Sequence, residues 1–189
     1  VMPTIIPIAQ NMYREKSFDL VFTGTLSWEE NIVGLRWFLD SHWPYILHQF
    51  PELKFNIIGR EASPKLIQYL ESCEGVKYWG YVEELTDVYR DCALAVSPVL
   101  INAGIKVKIL TYLSYGLPVV ATQVSTLGLV STDGVRTSEQ ENFGEEVVKL
   151  LKDSKKRHQL AQDGYRNIEK NYSQDHLQAF LQKHVASID

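Results

Sequence analysis

Five short apolar runs recur along the chain, and most of them end at a glycine or a proline. They are DLVFTG (19–24), KFNIIG (54–59), VKYWG (76–80), ALAVSP (93–98) and LPVVAT (117–122). Continuous apolar runs of this length, bounded by turn residues, read as strands buried on both faces. The stretches between them carry helical spacing instead. Ile32, Leu35, Phe38 and Leu39 recur at three- and four-residue steps within a helix predicted over roughly 29–49, with Ser27 as its N-cap. SPKLIQYLESC (63–73) places Ser63 at the N-cap and Pro64 at the first helical position. A short helix is expected over 84–91, and IKVKILTYLSYG (105–116) reads as a helix with Gly116 just past its end. Strands that alternate with helices form a parallel sheet covered on both faces. The expected fold is therefore a doubly wound α/β domain, Rossmann-like, with a weaker strand around 128–131 and a helical tail from about 139.

Composition agrees with one such domain. The chain has 189 residues, 45% hydrophobic and 22% charged, which excludes a disordered tail, a collagen-like repeat or a coiled coil. A net charge of −4 argues against a general nucleic-acid binder, which carries a basic excess. Pro3 and Pro7 disfavour helix at the start, so residues 1–17 are expected to be a linker and 18–189 the domain. The chain opens at Val1, which predicts a piece of a longer protein. Its first ten residues lack the basic region of a signal peptide, and no run of about 18 apolar residues occurs. Cys73 and Cys92 form no CxxC pair and read as reduced thiols, which points to a cytoplasmic setting. The basic run KDSKKRH (152–158) reads as a solvated helix start, with contact to anionic lipids at the inner face of a membrane as the alternative.

Ligands of open parallel sheets bind beyond the carboxyl ends of the strands. Here those ends are Gly24, Gly59, Gly80 with Tyr81, and Ser97 with Pro98. The first turn, TGTLSWEE, has a lone glycine and is no dinucleotide fingerprint, and no GK[ST] occurs for a Walker loop. Gly104 precedes a helix that carries Lys106 and Lys108 in its first turn. A helix start already bears partial positive charge, so two lysines are unfavourable there unless an anion joins them. That pattern fits a phosphate or diphosphate; the plain alternative is two solvated surface lysines. Arg60 in IIGRE either faces a base or phosphate or pairs with Glu61.

Taken in order, FTGTLSWEEN, FNIIGRE, VKYWGYVEEL and LAVSPVLINAGIKVKILTYLSYGLPVVAT make the chain resemble the C-terminal domain of a retaining GT-B glycosyltransferase of the glycosyl transferases group 1 family. The likeness extends to a W-x-x-N element, Trp28 and Asn31, and a G-I-K-x-K element, Gly104 to Lys108. The resemblance implies a nucleoside-diphosphate-sugar donor. By position, Gly24 and Thr25 would line the diphosphate loop, with Gly59 and Arg60 beside the base and phosphates. Tyr81 and Val82 would meet the base, with Leu85 packed near it. Gly104, Ile105, Lys106 and Val107 would present donors to the phosphates, and Lys108 would be the catalytic charge on the leaving diphosphate. The family pattern places two glutamates around this helix where Ala103 and Thr111 stand; Thr111 would reach the ribose as a neutral group. No DxD implies an obligate metal, and no cofactor is implied beyond the donor, for which UDP-sugar, UDP-glucose above all, is favoured. The partner implied is an N-terminal acceptor-binding domain, with a glycan or lipid-linked acceptor and a role in polysaccharide biosynthesis. Two other classes stay open: a catalytically inactive nucleotide-binding or interaction domain, favoured by Ala103 and Thr111, and a nucleotide-sugar epimerase, which would need carboxylates and a histidine in the cleft.

Overall fold

The computed structural model describes residues 5–9, 11, 13–14, 18–101, 107–176, 178 and 182. Six strands are seen: β1 Asp19–Thr23, β2 Phe55–Ile58, β3 Val76–Gly80, β4 Cys92–Ser97, β5 Val119–Thr122 and β6 Val135–Ser138. They form one all-parallel sheet in the order β3-β2-β1-β4-β5-β6. The helices between and after them are α1 Glu29–Ser41, α2 Trp43–Gln49, α3 Pro64–Ser72, α4 Thr86–Tyr89, α5 Val107–Ser114, α6 Gln123–Thr126, α7 Phe143–Lys152 and α8 Ser154–Asn171. This is the expected doubly wound α/β architecture with helices following the last strand.

Alternation along each strand sends side chains to two cores. Leu20, Phe22, Leu94 and Val96 meet α1, α2, α3 and α7 on one face. Val21, Ala95, Val119 and Ala121 meet α4, α5 and α8 on the other. The order reverses between β1 and β4, and there α1 and α5 leave for opposite faces. Their loops diverge and open a crevice at the carboxyl edge.

Three local expectations are corrected. The single helix over 29–49 is two helices, because Pro44 at the start of α2 cannot continue a helix and the chain turns at His42. Ser27 does not cap α1; Trp28 is the N-cap residue, and the Ser27 hydroxyl donates to Glu61 Oε2 at 2.7 Å. The sixth strand lies at 135–138, not 128–131. Gly128 and Gly134 turn the chain at positive φ, Leu129 packs on the core while Val130 is exposed, and the edge strand VRTS has one apolar residue, Val135, so no run marks it. Ser63 does cap α3, accepting from the Leu66 N–H at 3.2 Å.

Within the segment expected to be a linker, Ile6, Ala9 and Tyr13 contact α8 or its end. Ile6 is buried and donates its N–H to the Tyr172 carbonyl at 3.0 Å, and the Tyr165 hydroxyl donates to the Ala9 carbonyl at 3.0 Å. Of the helical tail expected from about 139, residues 177, 179–181 and 183–189 lie outside the described residues. In the basic run, Arg157 is buried and donates to the Leu150 and Leu151 carbonyls, closing the end of α7. No helix among the described residues is long and apolar enough to cross a membrane.

His42 sits at the α1–α2 break, its ring 4.6 Å from that of Trp37, and its Nδ1 accepts the Gly144 N–H at 3.3 Å. Burial lowers its pKa, against a smaller opposing contribution from the Gln140 backbone. The unfolded chain then binds the proton more readily than the folded one, so stability is full above about pH 6.5 and falls as pH drops below it. Urea midpoints measured between pH 7.5 and 5.5 should fall more for the native chain than for His42→Gln, which keeps an acceptor without the titration. Equal slopes would refute this.

Candidate functional site

A cleft of about 1030 Å³ occupies the reversal point of the sheet. Its floor is the end of β1 with the loop after it, Thr23, Gly24 and Thr25. One wall is the start of α1, from Trp28 to Asn31; the other is the first turns of α5, Val107, Lys108 and Thr111, with Leu85 and Tyr89 near α4.

The floor is held from below. The Thr23 N–H donates to the Tyr112 hydroxyl at 2.6 Å, and Thr23 Oγ1 lies 2.9 Å from the Tyr89 hydroxyl. Burial pushes both phenols well above their usual range, so they stay neutral and act as hydrogen-bonding supports. These two tyrosines escape a sequence reading, because their partner is 66 and 89 residues away and nothing local marks it.

The walls differ in charge. α1 begins with Glu29 and Glu30, which complement its own helix start. α5 has no carboxylate in its first turn and carries Lys108 there. An anion in the cleft therefore belongs against α5. Lys108 Nζ hydrogen-bonds Asn31 Oδ1 and lies 4.7 Å from the centre of the Phe22 ring. Asn31 is only 3% exposed and donates through Nδ2 to the Thr25 carbonyl at 2.9 Å. The Thr111 hydroxyl donates back to the Val107 carbonyl at 2.9 Å.

Of the residues singled out in the sequence, Gly24, Thr25, Leu85, Val107, Lys108 and Thr111 are brought together in this cleft. Gly104, Ile105 and Lys106 lie outside the described residues, as does Ala103. Gly59, Arg60, Tyr81 and Val82 do not line the cleft. Gly59 serves close packing: a Cβ there would lie 2.2 Å from the Gly24 carbonyl oxygen. The Arg60 side chain is 64% exposed, with Nε 3.5 Å from Glu61 Oε1. Tyr81 is 71% exposed beyond the edge strand β3, and Val82 packs on the α4–α5 core. Among the described residues, no group of three or more His, Cys, Asp or Glu is placed to hold a metal ion.

Residues 17–153 match the family described as Glycosyl transferases group 1, which is well over half of the chain. The chain belongs to that family. A Klebsiella pneumoniae protein described as an uncharacterized 44.6 kDa protein in cps region is 24% identical over 187 residues, covering 90% of this chain and 48% of its own length. This group 1 glycosyltransferase chain thus spans about half the length of the curated relative it matches. Among solved structures, a variant of S. aureus TarM in complex with Fondaparinux, alpha-GlcNAc-glycerol and UDP superposes with a TM-score of 0.74 at 16% identity, over 96% of this chain and 38% of its own. The C-terminal domain of a glycosyl transferase group 1 family protein (LpcC) from Francisella tularensis superposes with a TM-score of 0.62 at 17% identity, over 92% of this chain and 97% of its own. The fold is GT-B-like.

Proposed function

We propose that this chain is the donor-binding domain of a glycosyltransferase, that the donor is a UDP-sugar with UDP-glucose favoured, and that the hexose is transferred with retention to a glycan or lipid-linked acceptor. The observation that carries the reading is the Lys108 ammonium, hydrogen-bonded to Asn31 on the carboxylate-free wall of a cleft at the sheet's reversal point. Family membership and the UDP held by the TarM variant support the choice of a nucleotide sugar. Free thiols at Cys73 and Cys92 accord with a cytoplasmic setting.

In transfer, the bond from the sugar's anomeric carbon to the diphosphate oxygen breaks, and the electron pair stays on the diphosphate. The sugar gains oxocarbenium character. Charge develops on the leaving group, and a preorganised ammonium in a cleft stabilises it more than water does. In this reading Lys108 supplies that charge, and Gly104, Ile105, Lys106 and Val107 complete the phosphate side. Leu85 gives an apolar neighbour for the base, and Gly24 and Thr25 form the floor. Gly59 supports that floor through its contact with Gly24, while Arg60, Tyr81 and Val82 would reach a donor only at the rim. The acceptor belongs to a second domain outside this chain.

Thr111 favours a second reading, binding without efficient transfer, because its hydroxyl is turned onto the Val107 carbonyl and carries no charge. Calorimetry separates the cases. UDP and UDP-glucose should bind the chain at millimolar affinity or better, and GDP and ADP more weakly. No heat from any nucleotide at millimolar concentration would overturn the reading. Slow release of glucose from UDP-glucose, above a buffer control, would favour transfer over binding alone.

A further inference from the structure

Asn31 does more than fill space. It stands in the first turn of α1, buried at the level of the β1 loop, and its side-chain amide faces two partners. The donors point to the Thr25 carbonyl and the oxygen accepts from Lys108, on a helix 77 residues away in the chain. Only this amide orientation works, since the reverse would set an NH₂ against an ammonium and an oxygen against a carbonyl. The surroundings are shaped to allow it. A Cβ on Gly24 would lie 2.9 Å from Asn31 Nδ2, so glycine leaves the room the amide occupies. One turn further along α1, Gly34 approaches the loop after β4 so closely that a Cβ would lie 2.1 Å from the Pro98 carbonyl oxygen. α1 is thereby seated against the loops after both β1 and β4, and Asn31 spans from one to the helix that follows the other.

We infer that Asn31 is a positioning residue that aims the Lys108 ammonium at the ligand's phosphates while holding the Thr25 carbonyl away from them. The inference rests on the donor-site reading above. A lysine has four rotatable bonds, and an anion that must order them binds less tightly. Asn31 does part of that ordering before the ligand arrives. As a neutral acceptor it does so without adding a negative charge beside the phosphates, which an aspartate at the same place would add. A carbonyl dipole turned into the cleft would oppose the same phosphates, and the Asn31 amide satisfies that carbonyl on the protein side.

The test compares UDP, inorganic pyrophosphate and uridine by calorimetry on the native chain, Asn31→Asp and Asn31→Ala, with thermal unfolding to show that each variant is folded. Asn31→Asp keeps the side-chain shape. The expected result is a loss of about tenfold or more in UDP and pyrophosphate affinity for Asn31→Asp, with uridine changed less than about twofold. Asn31→Ala should lose less than Asn31→Asp, because it removes the aim without adding repulsion. A merely structural role would lower UDP and uridine by the same factor, and that result, or unchanged pyrophosphate binding, would overturn the inference alone. A native chain that binds neither UDP nor pyrophosphate would overturn the donor-site reading and the inference with it.

Discussion

Lys108→Ala is expected to weaken UDP binding between about 10- and 150-fold while costing the domain only about 1–2 kcal/mol of stability. The first half follows from the charge. Hydrogen bonds to charged groups contribute about 1.5–3 kcal/mol, and this ammonium is the cation that the first turn of α5 presents to the cleft among the described residues. The second half follows from where the lysine sits. A cation at a helix start opposes the helix dipole by about 0.3–1 kcal/mol, so removing it relieves one cost. Losing its bond to the buried Asn31 Oδ1 costs more, about 1.5–3 kcal/mol, because the donor is charged. The net cost is about 1–2 kcal/mol, and the unfolding midpoint should fall by about 2–8 °C. A chain that keeps UDP affinity without Lys108 would exclude the proposed diphosphate side, and one whose midpoint falls well beyond about 8 °C along with its affinity would make Lys108 structural.

Gly59→Ala should show the opposite pattern, a fold effect first. The added carbon would lie 2.2 Å from the Gly24 carbonyl oxygen and 2.8 Å from Leu26 Cγ. The nearer atom is backbone, and it belongs to a tightly tied segment: the Gly24 N–H donates to the Ile58 carbonyl at 3.0 Å, and the Gly59 N–H to the Gly80 carbonyl at 2.9 Å. The new methyl can be housed only by pulling the end of β1 away from β2. Overpacking of this kind costs about 3 kcal/mol, which lowers the unfolding midpoint by about 6–12 °C for a domain of this size. UDP affinity should fall as well, since the carbonyl that must move lies in the floor of the cleft. A midpoint within 2 °C of native would show, contrary to expectation, that the strand ends have slack (about 1 kcal/mol or less).

The contrast shows which parts of the site are legible in a single sequence. That Gly24, Gly59 and Gly80 end strands follows from local patterning, and the structure places all three at carboxyl ends or just beyond. Which ends flank the crevice depends on strand order, and strand order is a property of the folded sheet. β1 borders the reversal point, so Gly24 and Thr25 line the cleft; β2 and β3 lie to one side, so Arg60 and Tyr81 face solvent. Lys108 was legible because a lysine at a helix start is an electrostatic conflict visible in the sequence. The Asn31–Lys108 bond was not, because neither residue signals a partner 77 positions away. The break at Pro44 was legible in principle, since proline can only open the second helix. The edge strand β6 was hidden because three of its four residues, Arg136, Thr137 and Ser138, are polar.

The packing of Ile6 against Tyr172 has a bearing on how this backbone can be cut and rejoined. Residues 166 positions apart in sequence meet at one hydrogen bond of 3.0 Å, so the stretch between them starts and finishes at one place. Sheet order and both cores lie within that stretch, so they need not depend on where it is opened. Joining the backbone near these two residues and opening it at the exposed turn around Thr132 and Asp133 would give a circular permutant with the same six strands and the same cleft. Such a permutant would separate the connectivity of the chain from the geometry that grips the ligand.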